Sequence, residues 1–359
     1  ASKKLQAQRW RERATAADKQ VQNKKSEISA IKTKQTMPRP VLLIHGGAGD
    51  IGDSRVAGKF KGIKDALRAA WPQLAAGKSN AMDAVETAVR SMELDEAFNA
   101  GYGACLNTAG EVELEASFME GHELRAGCIT LLRDIMHPIT VARRLLEQRR
   151  HVFLGGEAAL KLALSTCSEQ LAPGSLVTPS AQQALAEFKQ QQAKGADTTY
   201  ARTELDALRT DPSGDTVGAV ALDMQGLIAV GTSTGGITGK WPGRIGDTPV
   251  LGSGTYADNL MGGVSTTGHG ETLMRYNLAQ RILAAMQHQQ LSAQAAAEQE
   301  CQRMTARLGG TGGAIVVDPQ GELGISFTSR RMAWGYVSDG VIHYGINQQE
   351  MLQEPFDLA

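Results

Sequence analysis

The pattern of apolar and polar residues divides most of the chain into predicted strands and predicted amphipathic helices. Short apolar runs, rich in β-branched residues, predict strands at 41–44, 111–119, 127–132, 217–222, 227–230, 314–318, 323–328, 333–337 and 341–344. Apolar residues spaced three or four apart predict helices at 56–74, 80–92, 139–148, 157–164, 180–194, 272–287 and 292–308. Strands clustered in each half, with helices clustered between them, indicate packed sheets flanked by helix layers, a fold of the α+β class.

One predicted hairpin, residues 215–236, carries candidate chemistry. Its two apolar runs are joined by Asp-Met-Gln-Gly, which is typical of a tight turn. An antiparallel hairpin brings its ends together, so Thr216 and Thr234 should lie side by side. Cleavage before Thr216 would free an α-amine that can act as general base on the hydroxyl of the same residue. On the hairpin alone, an ordinary structure that uses threonine for its strand propensity is the favoured interpretation.

The connection before the hairpin, residues 195–214, is polar and irregular. A long exposed loop is where a chain can be cut without unfolding either half. Its position directly before Asp215 and Thr216 fits a cleavage between these two residues.

Two glycine-rich segments offer possible binding sites. The first predicted strand runs into His45-Gly-Gly-Ala-Gly49, which lacks the spacing of a dinucleotide-binding or phosphate-binding loop. The segment 235–270 contains Arg244 and Asp247, one charge of each sign, among glycines that let backbone amides approach a small ligand. Such a pair suits a zwitterion, with the guanidinium on a carboxylate and the carboxylate on an ammonium. The alternative is a surface ion pair of little energetic value.

Composition argues against several classes of protein. With 37 Lys+Arg against 38 Asp+Glu, the chain as a whole is not expected to bind nucleic acid or a membrane surface. No apolar window is long enough to span a bilayer, and no secretory signal is evident. The cysteines are too widely spaced for a disulfide framework or a zinc site, so reduced thiols in a cytoplasmic protein are expected. They are Cys105, Cys128, Cys167 and Cys301.

The first 40 residues differ from the rest of the chain in charge. They carry eleven Lys/Arg and three Asp/Glu, a net charge of +8, which leaves −9 on the remainder. Their apolar residues are too sparse for a core-facing stripe, and Pro38 and Pro40 interrupt any helix before the first strand. We interpret residues 1–40 as a basic extension, flexible or helical; a transit peptide and a partner-binding arm are the less favoured alternatives.

Six short motifs, weak one by one but informative in this order and spacing, point to a known family. They are His45-Gly-Gly-Ala-Gly49, Phe98-Asn-Ala-Gly101, Asp215-Thr-Val-Gly-Ala-Val-Ala-Leu-Asp223, Gly231-Thr-Ser-Thr-Gly-Gly236, Gly243-Arg-Ile-Gly-Asp247 and Ser265-Thr-Thr-Gly-His-Gly-Glu271. From residue 41 onward the chain resembles the plant-type L-asparaginase/isoaspartyl peptidase family of N-terminal-nucleophile hydrolases. This resemblance reverses the preference for an ordinary hairpin.

The resemblance implies a four-layer αββα sandwich and a precursor that cuts itself between Asp215 and Thr216. The products would be an α subunit, 41–215, and a β subunit, 216–359, which associate as a dimer of αβ units. The implied substrates are L-asparagine and β-aspartyl dipeptides. No cofactor is implied beyond a possible structural sodium ion, held by backbone carbonyls in the loop that contains Met92, Glu93, Asp95, Phe98, Ala100 and Tyr102.

The same resemblance implies a role for each matching residue. Thr216 corresponds to the nucleophile, Thr234 to the neighbouring hydroxyl that orients it, and Thr267 to a third threonine that contacts substrate. Arg244 corresponds to the clamp on the substrate α-carboxylate and Asp247 to the clamp on its α-ammonium, a pocket shared by the backbone of Gly268. Asn99 and a backbone N–H near Thr267 and Gly268 correspond to the oxyanion hole, where one donor is worth about 3 kcal/mol.

One residue departs from the pattern of the family. Asparaginases of this family usually carry glycine before the nucleophile, where this chain has Asp215. Aspartate at this position is typical of glycosylasparaginases and of threonine aspartases. The absence of a signal peptide and of paired cysteines disfavours a glycosylasparaginase, and the retained Thr234 and Asp247 disfavour a threonine aspartase. Asp215 either assists the acyl shift or is merely exposed. A catalytically silent scaffold that acts through the basic extension is a further alternative, against which the intact candidate residues argue.

Overall fold

The computed structural model describes residues 39–166, 168–194 and 215–357. The predictions for the N-terminal extension, for Cys167 and for the connection 195–214 fall outside these residues. Two β-sheets organise the described part of the chain. Their strands are β1 (Val41–Gly49), β2 (Leu114–Glu120), β3 (Ala126–Leu132), β4 (Phe153–Gly155), β5 (Val217–Leu222), β6 (Ile228–Thr234), β7 (Thr255–Asp258), β8 (Gly262–Gly268), β9 (Gly312–Val317), β10 (Leu323–Phe327), β11 (Arg331–Ser338), β12 (Val341–Gly345) and β13 (Leu352–Pro355).

The larger sheet has the strand order β13-β12-β11-β1-β5-β6-β2-β3-β4, and the smaller sheet has the order β10-β9-β8-β7. Neighbouring strands are antiparallel except for β3 and β4, which are parallel. The two sheets face each other, because β1, β5 and β6 of the larger sheet contact β8 and β9 of the smaller. Leu43, Val220, Val230 and Ile315 are among the buried residues of the core between them.

The helices pack on both sheets. They are α1 (Asp53–Ala75), α2 (Ala81–Glu93), α3 (Pro138–Gln148), α4 (Glu157–Thr166), α5 (Pro179–Ala193), α6 (Gly270–Tyr276), α7 (Leu278–Gln289) and α8 (Ala293–Leu308). Helices α1, α2 and α3 contact strands of the larger sheet, whereas α7 and α8 contact strands of the smaller one. Helix α2 begins at a capping box between Asn80 and Asp83, and its Val85, Val89 and Met92 are buried at helical spacing.

The predicted α+β class is confirmed, and most predicted elements lie where the pattern indicates. The single helix predicted at 272–287 is wrong: Asn277 adopts a left-handed conformation (φ 59°) and separates α6 from α7. The structure also forms four strands that we did not predict, β4, β7, β8 and β13. Cys128 and Cys301 are buried free thiols, as expected, and Cys105 is also buried.

None of the helices in the described part of the chain is both long and apolar enough to cross a membrane.

Candidate active site

Four strand ends converge at one edge of the two facing sheets. Strand β5 pairs antiparallel with both β1 and β6, so the end of β1, the start of β5 and the end of β6 lie together. The end of β8 joins them from the smaller sheet, because Thr267 Oγ1 accepts a hydrogen bond of 3.0 Å from Ala48 N at the end of β1. This convergence gathers most of the residues that the sequence singles out.

Thr216 and Thr234 are in contact, as the predicted hairpin requires. Thr216 Oγ1 donates to Thr234 Oγ1 at 3.4 Å, and Thr234 Oγ1 donates to the Asp215 carbonyl oxygen at 3.4 Å. Thr234 Oγ1 also accepts a hydrogen bond of 2.9 Å from Gly236 N, which fixes its orientation. The donors therefore run in one direction, from the Thr216 hydroxyl through Thr234 to the carbonyl of the peptide bond that precedes Thr216.

Asp215 is fully buried, so the alternative in which its carboxylate is merely exposed is wrong. Its Oδ2 forms ion pairs of 2.8 Å with Arg55 Nη2 and 2.7 Å with Lys59 Nζ, both on α1. Burial alone would raise the pKa of Asp215, but the charges of Lys59 and Arg55 hold it below its ordinary value. The residue before Thr216 is therefore an ionised carboxylate held by two cations.

The glycine-rich end of β1 packs against Asp215. A Cβ at Gly47 would lie 2.5 Å from the Cβ of Asp215, and the φ of Gly47 is +108°, so only glycine fits this approach. Lys59 Nζ also donates to the Gly46 carbonyl at 2.7 Å. The motif at 45–49 thus serves as packing around the candidate cleavage site, not as a phosphate-binding loop.

His45 lies at the start of a chain of buried hydroxyls between the sheets. Its Nε2 lies 2.8 Å from Ser265 Oγ, which in turn lies 2.8 Å from Thr232 Oγ1. Burial lowers the pKa of His45 to about 3, so the ring is neutral and a weak base. His45 therefore stabilises the junction of β1, β6 and β8 and is poorly suited to activating Thr216.

Arg244 and Asp247 face each other across Gly270. A Cβ at Gly270 would lie 2.7 Å from Arg244 Nη2 and 3.0 Å from Asp247 Oδ1, so glycine leaves room between the two groups. Both side chains are largely buried, which contradicts the alternative of a surface ion pair. Burial raises the pKa of Asp247 to about 7, against the opposing effect of the Arg244 charge. A guanidinium and a carboxylate that titrates near neutrality are available here for a small zwitterion.

Arg244 is held by a residue to which we assigned no role. Glu271 accepts two hydrogen bonds of 2.9 Å from Arg244 Nε and Nη2, a bidentate pair. Burial alone would raise the pKa of Glu271, but these hydrogen bonds hold it below its ordinary value. The Nη1 edge of the guanidinium points instead toward Gly236 and Gly246.

Asn99 and Gly268 lie on the same side of the fold as these groups. Asn99 Nδ2 donates to the Gly236 carbonyl at 2.6 Å, and its Oδ1 accepts from Cys105 N at 2.7 Å. Among the described residues Nδ2 has this one acceptor, so its other hydrogen is available to a ligand. Gly268, with φ +131°, ends β8 against Gly312, where a Cβ would lie 2.4 Å from the Gly312 Cα.

The backbone of the loop after α2 packs closely against its own glycines. A Cβ at Gly101 would lie 2.3 Å from the Glu93 carbonyl oxygen, and a Cβ at Gly103 would lie 2.0 Å from that of Phe98. The Glu93 side chain is buried and accepts hydrogen bonds from Ser233 Oγ and Ile139 N. Among the described residues, no group of three or more His, Cys, Asp or Glu side chains could hold a metal ion.

Several residues of this region were not identified from the sequence. Arg55 and Lys59 give no local signal, because they lie on a helix about 160 residues before Asp215. Glu115 lies under the Arg244 turn and accepts hydrogen bonds of 3.1–3.2 Å from Gly246 N. Glu271 could have been found, since it stands at the end of the sixth motif.

Known proteins match the chain over nearly all of its described length. The sequence pattern of the asparaginase family matches residues 38–346. A protein of Drosophila melanogaster named probable isoaspartyl peptidase/L-asparaginase is 72% identical over 331 residues, which cover 90% of this chain and 100% of the fly protein. Proteins named isoaspartyl peptidase/L-asparaginase from Homo sapiens and Danio rerio are 40% and 37% identical, over 87% and 89% of this chain and 97% and 98% of their own. The chain belongs to the asparaginase family.

Proposed function

We propose that this chain is a threonine amidohydrolase that cuts itself before Thr216 and then hydrolyses L-asparagine and β-aspartyl dipeptides. The observation that carries the proposal is the contact of the Thr216 and Thr234 hydroxyls at the Asp215 carbonyl. The names of the relatives, isoaspartyl peptidase/L-asparaginase, support the choice of substrates.

Self-cleavage begins with attack of Thr216 Oγ1 on the carbonyl carbon of Asp215. The Thr216 hydroxyl proton moves to Thr234 while Thr234 passes its own proton to the oxygen of the tetrahedral intermediate. As the C–N bond breaks, that oxygen gives up the proton to the leaving nitrogen, the carbonyl re-forms, and an ester links Asp215 to Thr216. Water then hydrolyses this ester, which leaves a carboxylate on Asp215 and a free α-amine on Thr216.

Substrate hydrolysis uses the groups that cleavage exposes. The α-amine accepts the Thr216 hydroxyl proton while Oγ1 attacks the side-chain carbonyl of asparagine, or the same carbonyl of a β-aspartyl peptide. Asn99 Nδ2 and a backbone N–H near Thr267 and Gly268 stabilise the oxyanion. Ammonia or the amine of the peptide leaves with that proton, and water hydrolyses the Thr216 ester to release aspartate.

The two substrates share one recognition pattern, a free α-carboxylate and a free α-ammonium beside the reacting carbonyl. Arg244 binds the carboxylate through the guanidinium edge that Glu271 leaves open, and Asp247 binds the ammonium with the help of the Gly268 backbone. Burial of both charged groups makes each contact stronger than it would be in water. Thr267 contacts the substrate from the end of β8.

The remaining family properties belong to the same proposal. The helices on the two sheets would form the outer layers of an αββα sandwich. Residues 41–215 and 216–359 would become α and β subunits that associate as a dimer of αβ units in the cytoplasm. A sodium ion bound by backbone carbonyls of the loop 92–102 would hold this loop rigid.

A product assay tests the proposed activity. Fully cut protein is incubated with L-asparagine and with a β-aspartyl dipeptide, and aspartate is quantified per cut chain. We expect release from both substrates and none from the matched α-aspartyl dipeptide, which lacks the shared arrangement. Equal rates on the α- and β-linked dipeptides would contradict the proposed pocket.

A further inference from the structure

The proposed self-cleavage does not require a carboxylate on the residue before Thr216, yet the carboxylate of Asp215 is held in place by two cations. Its Oδ2 contacts both Arg55 Nη2 and Lys59 Nζ, and the Lys59 side chain is fully buried. Lys59 is itself fixed by the Gly46 carbonyl and by the face of the Phe98 ring, 4.7 Å from its Nζ. A buried lysine held in this way is a rigid partner for the carboxylate.

Gly47 confines the Asp215 side chain on one side. The Cβ and carboxyl group of Asp215 lie so close to Gly47 that any Cβ there would overlap them. On the other side, the backbone carbonyl of Asp215 accepts the hydrogen bond from Thr234. The side chain and the carbonyl of one residue are therefore held from two directions, and the peptide bond that follows is held with them.

We propose that Lys59 and Arg55 are positioning residues for self-cleavage, which anchor the Asp215 side chain so that its carbonyl stays under the Thr234 hydroxyl. This inference rests on the proposed self-cleavage. It assigns Asp215 the role of an anchor and not of the base that accepts the Thr216 proton.

The hydrogen bonds around Asp215 favour the role of anchor. The Thr216 hydroxyl donates to Thr234, and both cations contact Asp215 Oδ2. Asp215 Oδ1 has no hydrogen-bond partner among the described residues, and it faces Gly47. A carboxylate paired with two cations is a weak proton acceptor.

The two roles predict opposite effects of Lys59→Met. If Asp215 is an anchor, losing Lys59 loosens it, and cleavage followed by intact mass after purification slows about tenfold or more. If Asp215 is the base, losing Lys59 raises its pKa, and cleavage near neutral pH stays as fast or becomes faster. Lys61→Met is the matched control, because Lys61 lies on the same helix with an exposed side chain.

A double-mutant cycle separates positioning from general damage to the fold. Asp215→Asn should also slow cleavage, and Lys59→Met combined with Asp215→Asn should be no slower than the slower single variant, because both break one contact. If the two reductions in cleavage rate multiply in the double variant, Lys59 and Asp215 act independently, which would contradict the proposed anchoring. Each substitution is also introduced into the uncut Thr216→Ala protein. The melting temperature of these variants reports stability independently of cleavage.

A second variant covers the case in which Lys59→Met does not fold. The side chain of Arg55 is 37% exposed, so Arg55→Ala should fold and slow cleavage by a few-fold. If wild type is cut and neither Lys59→Met nor Arg55→Ala is slower, this inference alone fails. If wild type is never cut between Asp215 and Thr216, the proposed function fails with it.

Discussion

Replacing Asp247 with asparagine tests the proposed substrate clamp quantitatively. The substitution keeps the shape of the side chain and removes the charge that would bind the substrate α-ammonium. A hydrogen bond to a charged group in a confined site is worth about 3 kcal/mol, which corresponds to roughly 150-fold in kcat/KM. Asp247→Asn should therefore lose about two orders of magnitude at a pH where Asp247 is ionised.

The size of this loss should depend on pH in a way the structure specifies. Burial raises the pKa of Asp247 to about 7, so ionised carboxylate predominates at pH 8 and falls to roughly one tenth at pH 6. Only the ionised form binds the ammonium, so the ratio of wild type to Asp247→Asn should shrink from about 150 at pH 8 to about 15 at pH 6. The Thr216 amine also titrates near this range, but it does so in both proteins and cancels in the ratio.

The assay measures kcat/KM for L-asparagine per cut chain at pH 6, 7 and 8. Glu354→Gln is a matched control, since it removes a carboxylate from β13 at the edge of the larger sheet and should change kcat/KM little. A ratio that is the same at pH 6 and pH 8 would show that binding does not depend on ionisation of Asp247. A ratio of wild-type to Asp247→Asn kcat/KM near one would show that the substrate α-ammonium binds elsewhere.

Three further predictions concern self-cleavage, substrate binding and the N-terminal extension. Thr234→Val removes the donor to the Asp215 carbonyl, so cleavage followed by intact mass should slow by about a hundredfold, while Thr232→Val, on the buried hydroxyl chain, should slow it less. Glu271→Gln loosens Arg244, so steady-state kinetics should show KM raised several-fold with kcat nearly unchanged; an unchanged KM would contradict a positioning role. A protein beginning at Met37 should be cut and hydrolyse both substrates like the full chain, because the family match begins at residue 38; a several-fold rise in KM on truncation would show that the basic extension contributes to the site.

The parts of the site that depend on local sequence were predictable. The register of a short hairpin is fixed by its turn, which is why Thr216 and Thr234 could be paired before the structure was known. Arg244 and Asp247 are three residues apart in a glycine-rich turn, so their proximity also needed no tertiary information.

The parts that depend on tertiary packing were not predictable. Strand β8 is rich in glycine and threonine and lies buried between β7 and β9, so it lacks the alternation that marks a half-buried strand. Asn277 ends a helix that its neighbours favour by adopting a left-handed conformation. This conformation leaves no signal in the apolar pattern, so the break could not be predicted. The pairing of Lys59 with Asp215 joins residues brought together only when α1 packs on the sheet.

The mass of the purified protein shows directly whether Thr216 cuts the chain. Wild type should give two fragments that meet between Asp215 and Thr216, with threonine at the new N-terminus, and Thr216→Ala should stay whole and inactive. Thr216→Ser should still be cut, because it keeps a hydroxyl nucleophile. An uncut but active wild type, or cleavage that persists in Thr216→Ala, would contradict self-cleavage by Thr216.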